Sequence, residues 1–501
     1  MFTCLKGCLP LSWTTRNTHY PLPSQTQDAS EREKKNHASN EEPTARVKLE
    51  VRAITFNKVH VRYLINIKSE AALNTAKECK ASTSSADKST AAFRHLTRWL
   101  DSPDDDAAFW WQTTGSLLGL LLSEASYDLH SQYQALLFYH RFIAPALGPR
   151  PTENRTRSIW KSYMTDDHTP VEFSWNWRDS KTPPKIRCTM EAIPSDIASI
   201  DPFNQDAVIR LVRSLRVTLP YVDWHLFDYL ANAFHPPANS TSEAIAQADS
   251  RGYRSTIFLG FEFEDGKVAV KAYFAPVVGP GDTQWKTIVR SIKALEAGKI
   301  KFPALLELEN FLAFSEEGNQ LKVEGLAIDC VDLKKSRLKI YARTPLTSFD
   351  SVRQYMTMRG KLSHSDKTWK QLRDLWGLVL GIDESFPANK ELPFRDQLTA
   401  GMMYNYDTRA GNSMPEPKLY INTRHYGRSD LDIARGLAVF MQKYGRGGSA
   451  PNYQHAVDGF CTYRALDREC GLQTYVSCAV QDGALALTSY LSPQTYYRLE
   501  F

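Results

Sequence analysis

Three short segments, VKAYF (270–274), LKIYA (338–342) and PKLYI (417–421), share one pattern, Lys-x-Tyr. Their lysines are Lys271, Lys339 and Lys418, and their tyrosines are Tyr273, Tyr341 and Tyr420. Alternate residues of a strand point to the same side. Each segment therefore presents a cation beside a phenol, and Arg337 adds a second cation two residues before Lys339. An earlier strand-like segment, KIRCTMEAI (185–193), supplies Arg187, and later ones supply Tyr475 and Tyr490. For a single strand the ordinary reading is a solvated outer face. The repetition argues for an inward ring. Buried unpaired cations cost several kcal/mol each, so the ring implies an anion that completes it. A diphosphate fits by charge, each charge-assisted hydrogen bond contributing about 1.5–3 kcal/mol. So many fixed cations leave no need for a metal ion to neutralise a leaving group. The tyrosines add aromatic faces that steady a carbocation by roughly 0.5–2 kcal/mol per contact and keep water out. An anion clamp beside a cation cage points to an allylic diphosphate that ionises in a closed site.

A second group points to the other reactant. In VEFSWNW (171–177), Val171, Phe173, Trp175 and Trp177 share one strand face, and Glu172, Ser174 and Asn176 share the other. A carboxylate inside a barrel accepts a hydrogen bond from an indole N–H. Equally, Glu172 balances a basic pocket. The residues alone leave both open.

These side chains need a frame. Strand pairs recur at 171–193 and 255–274 and around each Lys-x-Tyr segment, with helical stretches between them, such as FWWQTTGSLLGLLLSEA and LHSQYQALLFYHRFIAPAL. The unit of helix, strand, strand, helix repeats about five times. Strand pairs between helices argue for antiparallel pairing, and ten strands can close into a barrel without edges. Residues 14–46 are polar and read as disordered, residues 47–67 alternate like strands, and the compact body begins near Ala92.

Composition narrows the function. The 501 residues carry 61 basic and 56 acidic side chains, a balance that argues against a nucleic-acid binder. No apolar run approaches the roughly 20 residues of a membrane span. Eight scattered cysteines form no zinc or disulfide pattern and fit a reducing cytosol. A magnesium-dependent prenyl-transfer enzyme would carry an Asp-Asp-x-x-Asp cluster on a helix. DSPDDD (101–106) and Asp166-Asp167 lack that spacing. A non-catalytic barrel for a phosphorylated or hydrophobic ligand is the other alternative.

FWWQTTGSLLGLLLSEASYD, MTDDHTPVEFSWNW, VKAYF, RLKIYARTPLTSFDSVR, KLYINTRHYGRSDLDIARGL and QTYVSCAV follow in order from about Phe109 to Tyr497. Together they resemble the fungal indole prenyltransferases of the dimethylallyltryptophan synthase type. The resemblance implies an α/β prenyltransferase barrel: a ten-stranded antiparallel β-barrel of five αββα repeats, ringed by α-helices, with the active site in the lumen. It implies a barrel domain at 92–501 after an N-terminal extension, 1–91, which does not resemble the family. It implies metal-independent transfer of a dimethylallyl group from dimethylallyl diphosphate to an indole acceptor in alkaloid or indole-diterpene biosynthesis. No cofactor is expected, the partners are these small molecules, and the enzyme is a cytoplasmic monomer or homodimer. By the same resemblance Glu172 is the catalytic, indole-binding residue. Arg187, Lys271, Tyr273, Arg337, Lys339, Tyr341, Lys418, Tyr420, Tyr475 and Tyr490 hold the diphosphate. The chain departs from the family at Gln481, where a cation is frequent, and in STIFLGFEFE, which lacks the lysine suited to removing a ring proton. His168 and the lumen glutamates remain as candidate bases. Met402 and Met403 line the prenyl pocket or serve as core filler.

Overall fold

A computed structural model describes residues 50–56, 60–66 and 89–499, with interruptions at 153–159, 180, 197–200, 236–240, 265, 280, 297–299 and 482. Contacts divide the chain into two units, Met1–Ser82 and Thr83–Phe501. In the first, β1 (Glu50–Phe56) pairs antiparallel with β2 (His60–Asn66), the strand pair that alternation predicts. The disorder expected at 14–46 lies outside the described residues.

The second unit is built on ten strands in five hairpins. They are β3 (Val171–Trp177) and β4 (Lys185–Met190), β5 (Ile257–Glu264) and β6 (Lys267–Phe274), β7 (Lys322–Asp329) and β8 (Arg337–Thr344), β9 (Met402–Arg409) and β10 (Glu416–Ile421), and β11 (Gln473–Gln481) and β12 (Ala484–Leu491). Each strand pairs with the next in sequence, and β12 closes on β3, so the sheet is a barrel without edges. Every neighbouring pair is antiparallel. The expected ten-stranded antiparallel barrel is observed.

The outward faces are apolar and buried beneath helices. Ile186, Cys188 and Met190 of β4, and Leu338 and Ile340 of β8, are fully buried. On β3 the rings of Trp175 and Trp177 stack 5.2 Å apart and meet Tyr453 of the helix Ala450–Phe460 edge-on. The FWW segment begins as a helix at Asp105, where the Asp104 carboxylate accepts from the Ala107 amide. The helical stretch that starts at Leu129 stops before Gly148, whose φ of +83° favours glycine.

Antiparallel order explains why one short motif recurs. Every second strand runs the same way, so β4, β6, β8, β10 and β12 are co-directional. Lys271, Lys339 and Lys418 thus reach one level of the lumen. Tyr273, Tyr341 and Tyr420, two residues and roughly 6.5 Å further along their strands, reach the next level.

Candidate active site

The cation level opens into a cavity of about 790 Å³ lined by Arg187, Lys271, Arg337, Lys339 and Lys418. Most of these cations are already paired. Glu262 Oε2 accepts from Lys271 Nζ at 2.7 Å and from Arg187 Nε, and Glu262 Oε1 accepts from Lys185 Nζ at 3.0 Å. Asp329 accepts from Lys339 Nζ at 2.8 Å and from Arg337 Nε at 2.6 Å, while Asp407 lies 3.5 Å from Arg337. The premise of a ring of unpaired cations is therefore corrected. The acids come from β5, β7 and β9, the strands that run the other way between the cation-bearing ones. With Arg178, Lys185, Lys267 and Arg409 also on its wall, the cavity has nine cations against five acids, Glu262, Glu264, Asp329, Asp407 and Glu416. Lys418 enters no ion pair among the described residues; its Nζ lies 5.1 Å from the centre of the Tyr420 ring.

Burial and the neighbouring charges set the protonation states. Burial would raise the Glu262 carboxyl, but Arg187 and Lys271 hold it well below the usual carboxylate range. Asp329 is likewise held down by Lys339 and Arg337 against its burial. Lys271 moves the other way. Burial, followed by the charge of Arg187, lowers it to about 7 despite Glu262. Burial also lowers Lys339 against the pull of Asp329.

Next along the axis is a collar of tyrosines. Ring centres lie 6.1 Å apart for Tyr273 and Tyr341, 5.9 Å for Tyr341 and Tyr420, and 5.6 Å for Tyr420 and Tyr490. The hydroxyls of Tyr341 and Tyr420 are 3.3 Å apart, and Asn405 donates to Tyr420 at 3.0 Å. Gly260 makes room for the collar, since a Cβ there would lie 3.0 Å from the Tyr273 ring. Burial raises the Tyr490 phenol, yet Lys418, a hydrogen bond with Tyr420 and Arg187 outweigh it, and the phenol titrates below its ordinary range.

Beyond the collar lies an inner chamber of about 180 Å³. Tyr273, Tyr341, Tyr420 and Tyr490 line both it and the cation cavity. Glu172 stands in the inner chamber with the tyrosines, away from the cation level, and makes no ion pair among the described residues. Its carboxylate accepts from Thr474 Oγ1 at 2.6 Å, and burial raises its pKa to about 7 against that bond and the charge of Arg424. Glu172 thus lies in a different cavity from Arg187, Lys271, Arg337, Lys339 and Lys418.

Tyr475 also belongs to the inner chamber. Its hydroxyl accepts from Arg343 at 3.1 Å and from Arg424 at 2.7 Å, and its ring meets Tyr420 edge-on at 6.0 Å. Arg343 pairs with Glu324 at 2.8 Å and Arg424 with Asp166 at 3.0 Å. Sequence reasoning missed both arginines. Arg343 continues the face of Arg337, Lys339 and Tyr341 and was readable from alternation. Arg424 falls on the short helix Thr423–Tyr426, where strand alternation has ended.

Of the methionines, Met403 lines the chamber, and Met402 points outward and is fully buried. His168 lines neither chamber; it has a φ of +67° and lies 3.1 Å from the Ser162 carbonyl. Glu191 is occupied by Trp160, Ser162, Asn204 and Ser255, and Glu262 and Glu324 by cations.

A closed ten-stranded antiparallel barrel ringed by helices, with its cavities in the lumen, is the architecture of the prenyltransferase-barrel class. Residues 106–456 match the family model described as tryptophan dimethylallyltransferase. The chain is 33% identical over 429 residues to "Prenyltransferase anuH" of Penicillium roqueforti, covering 81% of this chain and 93% of that one. It is 32% identical to "7-dimethylallyltryptophan synthase hasE" of Aspergillus fumigatus, over 79% of this chain and 87% of that one. The crystal structure of AnaPT from Neosartorya fischeri is similar with a TM-score of 0.69 at 25% identity, covering 81% of this chain and 98% of that one. The chain belongs to the tryptophan dimethylallyltransferase family. It is an aromatic prenyltransferase.

Proposed function

We propose that the enzyme transfers a dimethylallyl group from dimethylallyl diphosphate to an indole-containing acceptor without a metal ion, in fungal alkaloid or indole-diterpene biosynthesis. The observation that carries this reading is the collar, whose four tyrosines line the cationic cavity on one side and the Glu172 chamber on the other. Arg187, Lys271, Arg337, Lys339 and Lys418 receive the diphosphate. The allylic C–O bond breaks and its electron pair leaves with the diphosphate, stabilised by cations already in place. The allyl cation lies against Tyr273, Tyr341, Tyr420 and Tyr490, which exclude water. An indole held through its N–H by Glu172 attacks the cation, and the ring proton is then lost. Glu262 and Asp329 are committed to lysine and arginine side chains, which supports metal independence.

The described cysteines are unpaired, and Cys188, Cys330, Cys461 and Cys478 are buried, which supports a reducing, cytosolic setting. No described helix is long and apolar enough to cross a membrane. The test is product formation by mass spectrometry, with dimethylallyl diphosphate and a panel of indoles, with and without EDTA. A gain of one dimethylallyl unit that survives EDTA is expected. Activity abolished by EDTA and restored by Mg²⁺ would overturn metal independence, and transfer only to non-indole arenes would overturn the acceptor class.

A further inference from the structure

Beside the inner chamber lies a second cavity, of about 430 Å³, which opens toward the surface. Tyr163, Tyr253, Glu324 and Arg343 line both. Tyr163 and Tyr253 stack with ring centres 3.7 Å apart at 7°, forming a flat aromatic wall that faces both spaces. Arg343 also lines both spaces. It is paired to Glu324 and donates from Nη1 to the Thr399 carbonyl at 2.8 Å.

The outer wall is the loop 391–401, which is firmly tied at both ends. Glu391 accepts from Thr347 Oγ1 at 2.7 Å and Leu392 N donates to Thr347 Oγ1 at 2.8 Å. At the far end Asn422 donates to the carbonyls of Thr399 and Gly401 at 2.7 and 3.0 Å. Between these anchors the loop presents Phe394, 86% exposed, and Leu398, 51% exposed. Both line the outer cavity. Single exposed apolar residues are ordinary, but here two large ones flank a cavity that shares Tyr163, Tyr253, Glu324 and Arg343 with the Glu172 chamber. Lys322, Arg395 and Gln397 add hydrogen-bond donors around them.

Size makes the same point. The inner chamber, at about 180 Å³, is smaller than the roughly 300–1,000 Å³ usual for a pocket that buries a small molecule. Taken together with the outer cavity, with which it shares four lining residues, it falls inside that range. We infer that the acceptor is larger than a lone aromatic ring or free amino acid: its reacting ring occupies the inner chamber, and a distal portion bearing carbonyl or carboxylate oxygens lies in the groove between the Tyr163–Tyr253 stack and the 391–401 loop. This rests on the inner chamber being the acceptor side, as proposed above. Gln320, an exposed residue of the outer cavity, and Leu398 are the specificity-determining positions, and neither lines the cation cavity.

The test compares indole, which fills only the inner chamber, with a tryptophan-containing cyclic dipeptide, which reaches the groove through its amide carbonyls. Gln320→Trp fills the exposed end of the groove, and Leu398→Ala removes one apolar flank. Both positions are exposed, so neither change threatens folding. For Gln320→Trp, kcat/KM with the cyclic dipeptide is expected to fall about tenfold through KM, while kcat/KM with indole changes less than about twofold. For Leu398→Ala a smaller loss in the same direction is expected. Calorimetric titration of the donor-free enzyme with each compound separates the groove from the chemistry. If no acceptor is prenylated but Gln320→Trp still weakens dipeptide binding selectively, the groove stands and the proposed reaction falls. Equal effects on both compounds, or no effect on either, would overturn the inference.

Discussion

At the cation end of the lumen, Arg187, Lys271, Arg337 and Lys339 each face Glu262, Asp329 or Asp407 across the gap between adjacent strands. At the inner end the arginines turn toward Glu324 and Asp166, and Glu172 makes no ion pair among the described residues. Strand direction produces the difference. Hairpin partners that run opposite ways bring acids before the turn in β5 and β7 level with bases after it in β6 and β8. Glu172, on the incoming strand β3, lies far from that turn. Burial then tunes one group at each end toward pH 7 in opposite senses. Lys271 loses its charge as pH rises through about 7, whereas Glu172 gains its charge there. One end is a cluster of cations and the other a buried carboxyl, with the tyrosines common to both.

Substitutions at the two ends should separate. The largest effect is expected from Glu172→Ala. Loss of a charge-assisted hydrogen bond of about 1.5–3 kcal/mol lowers kcat/KM for the acceptor by roughly 10- to 150-fold. The KM for the donor should stay within about twofold, as steady-state kinetics with each substrate varied will report. Lys339→Ala should do the reverse. It is expected to lower kcat/KM for dimethylallyl diphosphate by about thirtyfold, a little over 2 kcal/mol, because four other cations remain. Acceptor binding to the donor-free variant, measured by calorimetry, should be unchanged. If both variants impaired both substrates alike, the two ends would not be functionally distinct.

A smaller effect is expected from pH. Burial raises the Glu172 carboxyl, so it is protonated below about 7 and able to accept an N–H fully only above it. The acceptor kcat/KM should therefore rise up to tenfold per unit as pH climbs toward about 7, then level. Burial lowers Lys271, so its ammonium is lost above about 7, and diphosphate binding must restore that proton. The donor kcat/KM should fall by up to tenfold per unit above about 7. Glu172→Gln should remove the rising limb and leave the falling one. The smallest effect is expected at Gly260→Ala. Its Cβ would meet the Tyr273 ring at 3.0 Å and tilt the collar shared by both ends. A few-fold loss of kcat with both KM values nearly unchanged is expected, with about 1–3 kcal/mol lost in a denaturant titration.

The legible part of this site is the part that repeats along one strand face. Lys-x-Tyr was readable because period two is a local property and because co-directional strands repeat it at one height. That face implied an inward ring of lysines and tyrosines, and the strand pairs recurring between helices implied the barrel that carries it. The acids were hidden by distance along the chain. Glu262 meets Arg187 from 75 residues away, and only the strand order puts them side by side. A local signal did exist, since the sequences FEFE, LAID and YNYD each place an acid late in the incoming strand of a hairpin. Arg424 and Thr399 gave none, because they come from a short helix and a loop whose side chains follow no strand period. Met402 and Met403 show the finer limit, where a one-residue step decides between core and chamber.

The most direct test of the division is a crystal structure with dimethylallyl thiolodiphosphate bound. The diphosphate is expected within hydrogen-bond distance of Lys271, Lys339 and Lys418, with the prenyl chain against Tyr273, Tyr341 and Tyr420 and no contact to Glu172. A diphosphate seated on Arg343 and Arg424 in the inner chamber would contradict it and exchange the roles of the two ends.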